Sequence, residues 1–375
     1  MPKVKQPDQA FEAARGNTRL RLEQWAQNPT CEANTISAVK NVRMADVADR
    51  AGIRATFGQS PFAIARGEQF EKSLFSQDGK RLREELIKKG VLPADVDGFA
   101  DLRLRKNGGS HVKSLDEAIA QTTKLIEQVA NSAKAGRSSL PCLVAGATVR
   151  VPKGILLPEA ILIVDALAIR IIGRKAELIV GEIKTYPDRG GHTKAGELAS
   201  ARAQAGIYVH GLDLVIAELG IGSCVDVSRQ GFLVLSRPGS NQPSVRPHED
   251  LRYQADRAKR GFELLERAAA ALGPELWASS PGDPPDSLLK LVLHAKTNYS
   301  ECCLSFCDLA TRCYEIARSA GDPIILGEDM ARFLGTVKLD RAVELLAGGK
   351  PRGEAERDLC RSIKTTSELI NYVVS

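Results

Sequence analysis

Two acidic residues and one lysine lie in consecutive apolar runs near the middle of the chain. Asp165 follows one run, and Glu182 and Lys184 flank Ile183 in the next. Alternate residues of a β-strand face the same side, so Glu182 and Lys184 should project together, and strand pairing can bring Asp165 opposite Glu182. Two buried carboxylates are costly unless a cation neutralises them. Mg²⁺ suits such oxygen ligands, and water on the ion can attack a phosphodiester.

The same Glu-x-Lys spacing also occurs as a solvated ion pair on a surface strand. Here the flanking residues are strongly apolar, which is unusual for a solvated pair. We therefore expect a buried hydrolytic site in which Lys184 holds the attacking water or offsets developing charge.

A helical segment after this strand carries Gln204 and Tyr208, four residues apart and hence on one helix face. In this order, the residues resemble the PD-(D/E)xK nuclease superfamily, and more narrowly its RecB-like branch. The resemblance implies a restriction-endonuclease-like mixed α/β sheet core. It also implies a metal held by Asp165, Glu182 and the Ile183 carbonyl, with Gln204 and Tyr208 supporting the site.

That family also carries a Gly-x-x-x-His helix upstream, whose histidine binds metal. This chain has Gly67 followed by Glu71 at a comparable place, so a carboxylate replaces the imidazole. Glu71 keeps a hard-metal ligand and is the expected one, whereas Glu68, one turn away, is the competing candidate.

Four of the eight cysteines crowd into the segment 302–313. This cluster, with the distant Cys31, resembles the iron–sulfur members of the same superfamily, AddB-type and CRISPR-associated exonucleases. The resemblance implies a structural [4Fe–4S] cluster on Cys31, Cys303, Cys307 and Cys313. The family spacing C-x2-C-x5-C is kept only in its second gap, so Cys302 is an alternative to Cys303. A zinc site and buried structural thiols are the other interpretations.

Basic residues follow the Glu-x-Lys strand and could receive DNA phosphates, namely Arg189, His192, Lys194 and Arg202. A flexible solvated loop is the alternative. No Gly-x-Ser-x-Gly or His-x-x-x-His motif supports a histidine-based hydrolase, and no P-loop marks an ATPase. The resemblance thus predicts a Mg²⁺- or Mn²⁺-dependent deoxyribonuclease, with an exonuclease favoured. It implies a role in DNA repair, phage defence or CRISPR adaptation, and any ATPase or helicase partner on another chain. A silent nuclease-fold subunit that binds DNA or protein is the alternative.

The composition is that of a globular protein, and its mild positive charge is compatible with a polyanionic partner. The net charge is +6 and the pI about 8.8, while aromatic residues make up 5%, which leaves few stacking platforms for single strands. No apolar run is long enough for a membrane span, and the polar N-terminus lacks a secretory pattern, so a cytoplasmic protein with reduced cysteines is expected.

The element pattern is helices, a β-rich centre with one helix, then helices from His248 onward. It predicts a helical region over 1–140 containing a first core helix near 61–76, a nuclease core over 141–245, and a helical region with the cysteine cluster over 246–375. The predicted helices span 11–27, 64–75, 82–89, 115–135 and 194–210, and the strands 147–151, 160–172, 177–186, 224–227 and 231–235, with a hairpin turn at 173–175.

Overall fold

A computed structural model of the protein describes residues 18–40, 42–53, 61–105, 109, 112–136, 140–151, 160–272, 285–300 and 303–374. The chain divides into two compact units. The sheet unit contains the described residues up to Leu20 and those between Gln59 and Ala270. The cysteine unit contains those between Arg21 and Gly58 and those from Ala271 onward. This arrangement differs from the three consecutive regions expected from the sequence, because the N-terminal region supplies segments to both units.

Helices account for most of the described chain. In order they are α1 (Thr18–Gln27), α2 (Glu32–Val39), α3 (Met44–Arg50), α4 (Pro61–Leu74), α5 (Ser76–Lys88), α6 (Leu115–Ala135), α7 (Ala195–Glu218), α8 (Arg252–Ala271), α9 (Pro285–His294), α10 (Cys303–Phe306), α11 (Ala310–Ala320), α12 (Glu328–Leu334), α13 (Leu339–Leu346) and α14 (Glu354–Val374). A 3₁₀ helix spans Pro323–Leu326.

The strands form one mixed sheet in the sheet unit. They are β1 (Phe99–Asp101), β2 (Leu143–Val151), β3 (Ala160–Ile172), β4 (Lys175–Pro187), β5 (Val225–Val227), β6 (Gln230–Ser236) and β7 (Pro243–Asp250). Their order is β1-β2-β3-β4-β6-β7, with β5 also pairing with β4. Strand β3 pairs antiparallel with both β2 and β4. Strand β6, which follows α7, pairs in parallel with β4. The expected mixed α/β sheet with flanking helices is confirmed.

Each face of the sheet is covered by helices, because the strands alternate apolar side chains between two cores. Leu178 and Val180 of β4 pack in one core with residues of α6 and α7. Ile179 and Ile183 face the opposite core, which contains residues of α4 and α5. The long apolar runs that predicted these strands follow from burial on both faces.

The sheet forks beside Gly181. Pairing between β3 and β4 runs from Ile172↔Lys175 to Ala166↔Gly181 and ends there. Beyond this point β3 continues against β2, while β4 continues against β6. The fork opens where the Asp and Glu-x-Lys residues lie.

Two strands were not predicted. The segment from His248 was expected to be helical, but His248 lies in β7, with a left-handed φ of 56°. The helix begins only at Arg252. Pro243 and Pro247 hid this strand, since proline is accommodated in strands mainly at sheet edges, where β7 lies. The short strand β1 was also missed.

Among the described residues, no helix is both long and apolar enough to cross a bilayer.

Gly181 is required by close packing at the fork. A Cβ atom at this position would lie 2.1 Å from the ring of Phe232, a fully buried side chain. Gly181→Ala should therefore lower the free energy of unfolding by about 1–3 kcal/mol, as overpacked core substitutions do. Chemical denaturation of the full chain measures this. Gly196→Ala, where a Cβ meets nothing within 4 Å, is the matched control, and an equal effect of the two variants would refute the packing argument.

Candidate active site and cysteine cluster

Asp165 bridges the fork through its side chain. Its Oδ2 accepts a hydrogen bond from the backbone N–H of Ile183 at 3.1 Å. One step past the last β3–β4 pair, the register would place Asp165 opposite Glu182. A carboxylate thus satisfies a backbone donor at the point where the strands separate, and this contact fixes Asp165 beside the Glu-x-Lys segment.

Glu182 and Lys184 form a close ion pair on the same side of β4. Lys184 Nζ lies 2.6 Å from Glu182 Oε1, and their side chains are 20% and 0% exposed. Ile183 faces the opposite core, as strand alternation predicted. A fully buried carboxylate requires such compensation, because desolvation of an unpaired charge is costly.

Glu71 shares the electrostatic environment of these residues. The pKa of Glu71 is raised from 4.5 to about 7, chiefly by burial and then by the negative charge of Asp165, while Arg103 and Lys184 act in the opposite direction. Glu71 is part-buried, whereas Glu68 is exposed. Glu71 of α4 therefore lies within electrostatic range of Asp165 and Lys184.

Arg103 is a site residue that the sequence did not reveal. Its Nε and Nη2 donate to Oδ1 and Oδ2 of Asp101 at 2.9 and 2.7 Å. Its guanidinium also lies 4.6 Å from the ring centre of Phe75. A Cβ on Gly146 would come within 2.6 Å of Arg103, so the glycine leaves room for it. The sequence offered two signals for it, the Asp101-x-Arg103 spacing and the separate Gly146 within the apolar strand β2.

Gln204 and Tyr208 lie together on α7, facing the sheet. Both are buried, Tyr208 among the largest enclosed side chains. Tyr208 packs in the core that contains Val180, which lies on the Glu182 side of β4. The shared helix face agrees with the sequence interpretation, while support of the reaction by these residues stays a prediction.

The connection after β4 is an ordered, exposed basic loop. The buried carboxylate of Asp188 accepts hydrogen bonds from Ser244 and, at 3.3 Å, from Thr193. Arg189 and His192 pair through their backbones at the loop tip, and both are exposed, as is Lys194. The loop therefore presents Arg189, His192 and Lys194 outward from fixed positions.

Arg202 differs from the other basic candidates. It donates to Glu249 at 2.6 Å, and Arg246 donates to the other oxygen of the same carboxylate at 3.0 Å. Glu249 is buried. Arg202 therefore has a structural partner, and its contact with DNA stays a prediction.

The cysteine unit gathers Cys31 with three cysteines of the C-terminal region. Cys31 precedes α2 and packs in one apolar cluster with Cys303 and Cys307, at the start and just past the end of α10. Cys313 lies in α11, and all four side chains are buried. Cys302 lies outside the described residues.

Burial and neighbouring sulfur atoms raise the proton affinity of two of these thiols. The pKa of Cys307 is raised to about 12 and that of Cys313 to about 11, chiefly by burial and in smaller part by the charges of neighbouring cysteines. Cys31 and Cys303 contribute to the shift at each site. A thiolate at one cysteine thus opposes ionisation of the next thiol. A bound cation lowers the pKa of such thiols because it stabilises the thiolate form.

Cys303 has polar donors aimed at its sulfur. Asn28 Nδ2 lies 3.4 Å from Cys303 Sγ and 2.6 Å from the carbonyl oxygen of Asn298. The backbone N–H of Ser300 donates to the same sulfur at 3.3 Å. These contacts join the turn before Cys31 to the segment before Cys303 within the cysteine unit.

Both donor sets suit the expected metals by their chemistry. Carboxylate oxygens at the fork suit Mg²⁺ or Mn²⁺, and clustered thiols suit an iron–sulfur cluster or zinc. In the described part of the chain, no three His, Cys, Asp or Glu side chains already converge at metal-binding distances. The fold brings the carboxylates together at the fork and the thiols together in the cysteine unit. Coordination of a metal at either place would require the side chains to adjust.

The raised pKa of Glu71 predicts a pH-dependent stability. In metal-free protein, the fold keeps a proton on Glu71 that the unfolded chain loses above pH 4.5, so the stabilising contribution falls as pH rises from 4.5 toward 7. Glu71→Gln removes the ionisation and should raise the melting temperature at pH 8 more than at pH 5, in EDTA. Exposed Glu68→Gln is the control and should show little of this trend. A Glu71→Gln effect that is equal at both pH values would contradict the assignment.

Comparison with known proteins gives no match to any protein-family model, curated protein or solved structure.

Proposed function

We propose that the protein is a Mg²⁺- or Mn²⁺-dependent DNA nuclease of the PD-(D/E)xK type. The observation that carries this proposal is the fork in the sheet, where Asp165, Glu182 and Lys184 meet at the divergence of β3 and β4. The order of elements, with antiparallel β2, β3 and β4 followed by α7 and parallel β6, is consistent with the restriction-endonuclease-like core that the motif resemblance implies.

Asp165, Glu182 and the Ile183 carbonyl would hold the metal, with Glu71 completing the set from α4. The metal would polarise a phosphodiester and lower the pKa of an attacking water. Support for including Glu71 is its raised pKa, which reflects burial together with repulsion from Asp165. A divalent cation there would favour the ionised form of Glu71.

Lys184 would orient the nucleophile and offset charge as the phosphate is attacked. Its ammonium group lies 2.6 Å from Glu182, and the Lys184 side chain as a whole is 20% exposed, so the side chain is both held in place and partly accessible. Arg103, anchored by Asp101, adds a second positive charge that acts on Glu71.

The substrate strand would pass the ordered loop that carries Arg189, His192 and Lys194. Fixed cations of this kind position a phosphate backbone without reading sequence. We further propose an exonuclease in the cytoplasm, in DNA repair, phage defence or CRISPR adaptation, with any ATPase or helicase supplied by another chain. These contexts rest on the motif resemblance.

We also propose that Cys31, Cys303, Cys307 and Cys313 hold a structural [4Fe–4S] cluster. Such a cluster would connect segments separated by more than two hundred residues and so stabilise the cysteine unit. Its support is the gathering of four buried thiols, with Asn28 and Ser300 donating to Cys303.

Asp165→Ala tests the nuclease site directly. Wild-type protein purified without oxygen should degrade end-labelled single- or double-stranded DNA with Mg²⁺ or Mn²⁺, and the variant should be slower by about a hundredfold or more. Asp226→Ala, an exposed carboxylate paired with Lys175 on β4, is the matched control and should keep full activity. Equal cleavage by Asp165→Ala and wild type would reject the site. A wild type that binds DNA without cleaving it would instead favour the silent-subunit alternative.

Elemental analysis tests the cluster. Anaerobically purified protein should contain iron and acid-labile sulfide, and Cys31→Ala or Cys307→Ala should lose both and melt at lower temperature. Cys360→Ala, in the same unit but outside the gathered set, should retain the iron. Zinc in place of iron would support the zinc alternative, and protein without either metal would leave only buried thiols.

A further inference from the structure

A cavity of about 350 Å³ lies at the edge of the sheet unit, and none of its lining residues belongs to the set assigned above. It is lined by Arg66 of α4 and by Gly239, Ser240 and Asn241 of the connection between β6 and β7. This volume is at the lower end of the range for ligand sites. The lining combines one guanidinium, one hydroxyl, one amide and glycine backbone, which suits an anion.

The cavity walls are held by specific hydrogen bonds. Arg66 Nη2 donates to Ser236 Oγ at 3.2 Å, and this hydroxyl in turn donates to the carbonyl of Thr185 at 3.0 Å. Ser236 is buried. On the other side, Ser73 Oγ contacts the carbonyl of Asn241 at 3.5 Å. One guanidinium nitrogen of Arg66 is therefore held at the cavity by a buried hydroxyl, while the side chain as a whole is exposed.

The connection itself is a closed turn. The N–H of Arg237 donates to the Gln242 carbonyl at 2.9 Å, and that of Ser240 to the Arg237 carbonyl at 3.2 Å. Gly239 has a φ of +69°, and a Cβ there would meet nothing within 4 Å. The left-handed conformation explains the glycine, and the open space beside it leaves the turn backbone accessible to a ligand.

Arg66 differs in its hydrogen-bond partner from three other arginines of the sheet unit. Arg103, Arg202 and Arg246 all contact carboxylates. Arg66 instead donates to the neutral hydroxyl of Ser236. A neutral partner does not offset the positive charge of the guanidinium, which can therefore attract an anionic ligand. The planar guanidinium also matches two oxygens of a phosphate.

The cavity lies near the proposed catalytic residues along two elements. Ser236 pairs with Pro187, three residues beyond Lys184 on β4, which corresponds to about 10 Å along a strand. Arg66 precedes Glu71 on α4 by five residues, a rise of about 7.5 Å. A strand of DNA advances about 3.4 Å per nucleotide along its axis, so the two offsets correspond to about two to three nucleotides.

We propose that the cavity formed by Arg66, Gly239, Ser240 and Asn241 binds a backbone phosphate of the substrate strand about two to three nucleotides from the bond that is cleaved. The ligand class is a DNA phosphodiester, and this inference rests on the proposed nuclease function. The site would set which phosphodiester reaches the fork, by fixing the strand at a second point.

A phosphate-neutralisation series tests this contact. Oligonucleotides with a single uncharged methylphosphonate at successive positions are cleaved by wild type and by Arg66→Met. With wild type, one position two to four steps from the cleaved bond should lower kcat/KM about tenfold, since a charge-assisted hydrogen bond has this effect. Arg66→Met should lose about tenfold on unmodified DNA and show no further loss when that same position is neutral.

Three variants control the series. Arg174→Met removes an exposed arginine at the turn between β3 and β4, at the far end of β4 from Lys184, and should match wild type. Arg66→Lys keeps the charge and should retain part of the activity. Ser236→Ala keeps Arg66 but removes its hydroxyl partner, and should lose less than Arg66→Met. Melting temperatures near that of wild type establish that each variant is folded.

The outcomes separate this inference from the nuclease proposal. If wild type cleaves DNA but Arg66→Met matches it, or loses equally at every neutralised position, the cavity does not bind a substrate phosphate. If wild type does not cleave, the nuclease proposal fails, and binding of the same unmodified oligonucleotides still tests the cavity. In that case Arg66→Met should reduce the salt dependence of binding by about one phosphate contact, and an unchanged slope would overturn the inference.

Discussion

The hydrogen bond from the Ile183 amide to Asp165 is the contact on which the arrangement of the candidate site depends. Strands β3 and β4 pair closely up to Ala166 and Gly181, and then each follows a different neighbour. Separation of two central strands leaves backbone groups without a ladder partner, and a buried unsatisfied donor is costly. The Asp165 carboxylate takes one such donor. The fork is thereby stabilised by the same side chain that we propose as a metal ligand.

The charged side chains around the fork interact as one set rather than as isolated ion pairs. Glu182 is fully buried against Lys184, and Glu71 has its pKa raised to about 7 by burial and by Asp165. Arg103 acts against that shift from a position fixed by Asp101 and the Phe75 ring. Perturbed carboxylates with specific charged neighbours are typical of functional sites. A divalent cation would act on this set by favouring full ionisation of the carboxylates.

The cysteine unit solves a different physical problem. Its segments come from both ends of the chain, and short helices with a limited apolar core must be joined there. Asn28, Asn34 and Thr35 are buried polar residues, and their hydrogen bonds, with those of Trp25, fix the turn that carries Cys31. Small cores often gain stability from metals or crosslinks. The gathered thiols provide the donors for such a link without contributing to the proposed reaction.

The sequence by itself determined the central strands, the helix α6, the hairpin at 173–175 and the shared face of Glu182 and Lys184, because these follow from local periodicity and turn chemistry. It also indicated Glu71, Asp165 and the cysteines through the order of residue types. It did not reveal β7, whose prolines are tolerated only because the strand lies at an edge, nor Arg103 and Arg66, whose positions depend on contacts across the fold. The assignment of the described residues between Arg21 and Gly58 to a unit with the C-terminal helices was likewise decided by tertiary packing. Periodicity encodes which face of an element is buried, whereas the identity of the neighbour that buries it depends on long-range packing that no local pattern contains.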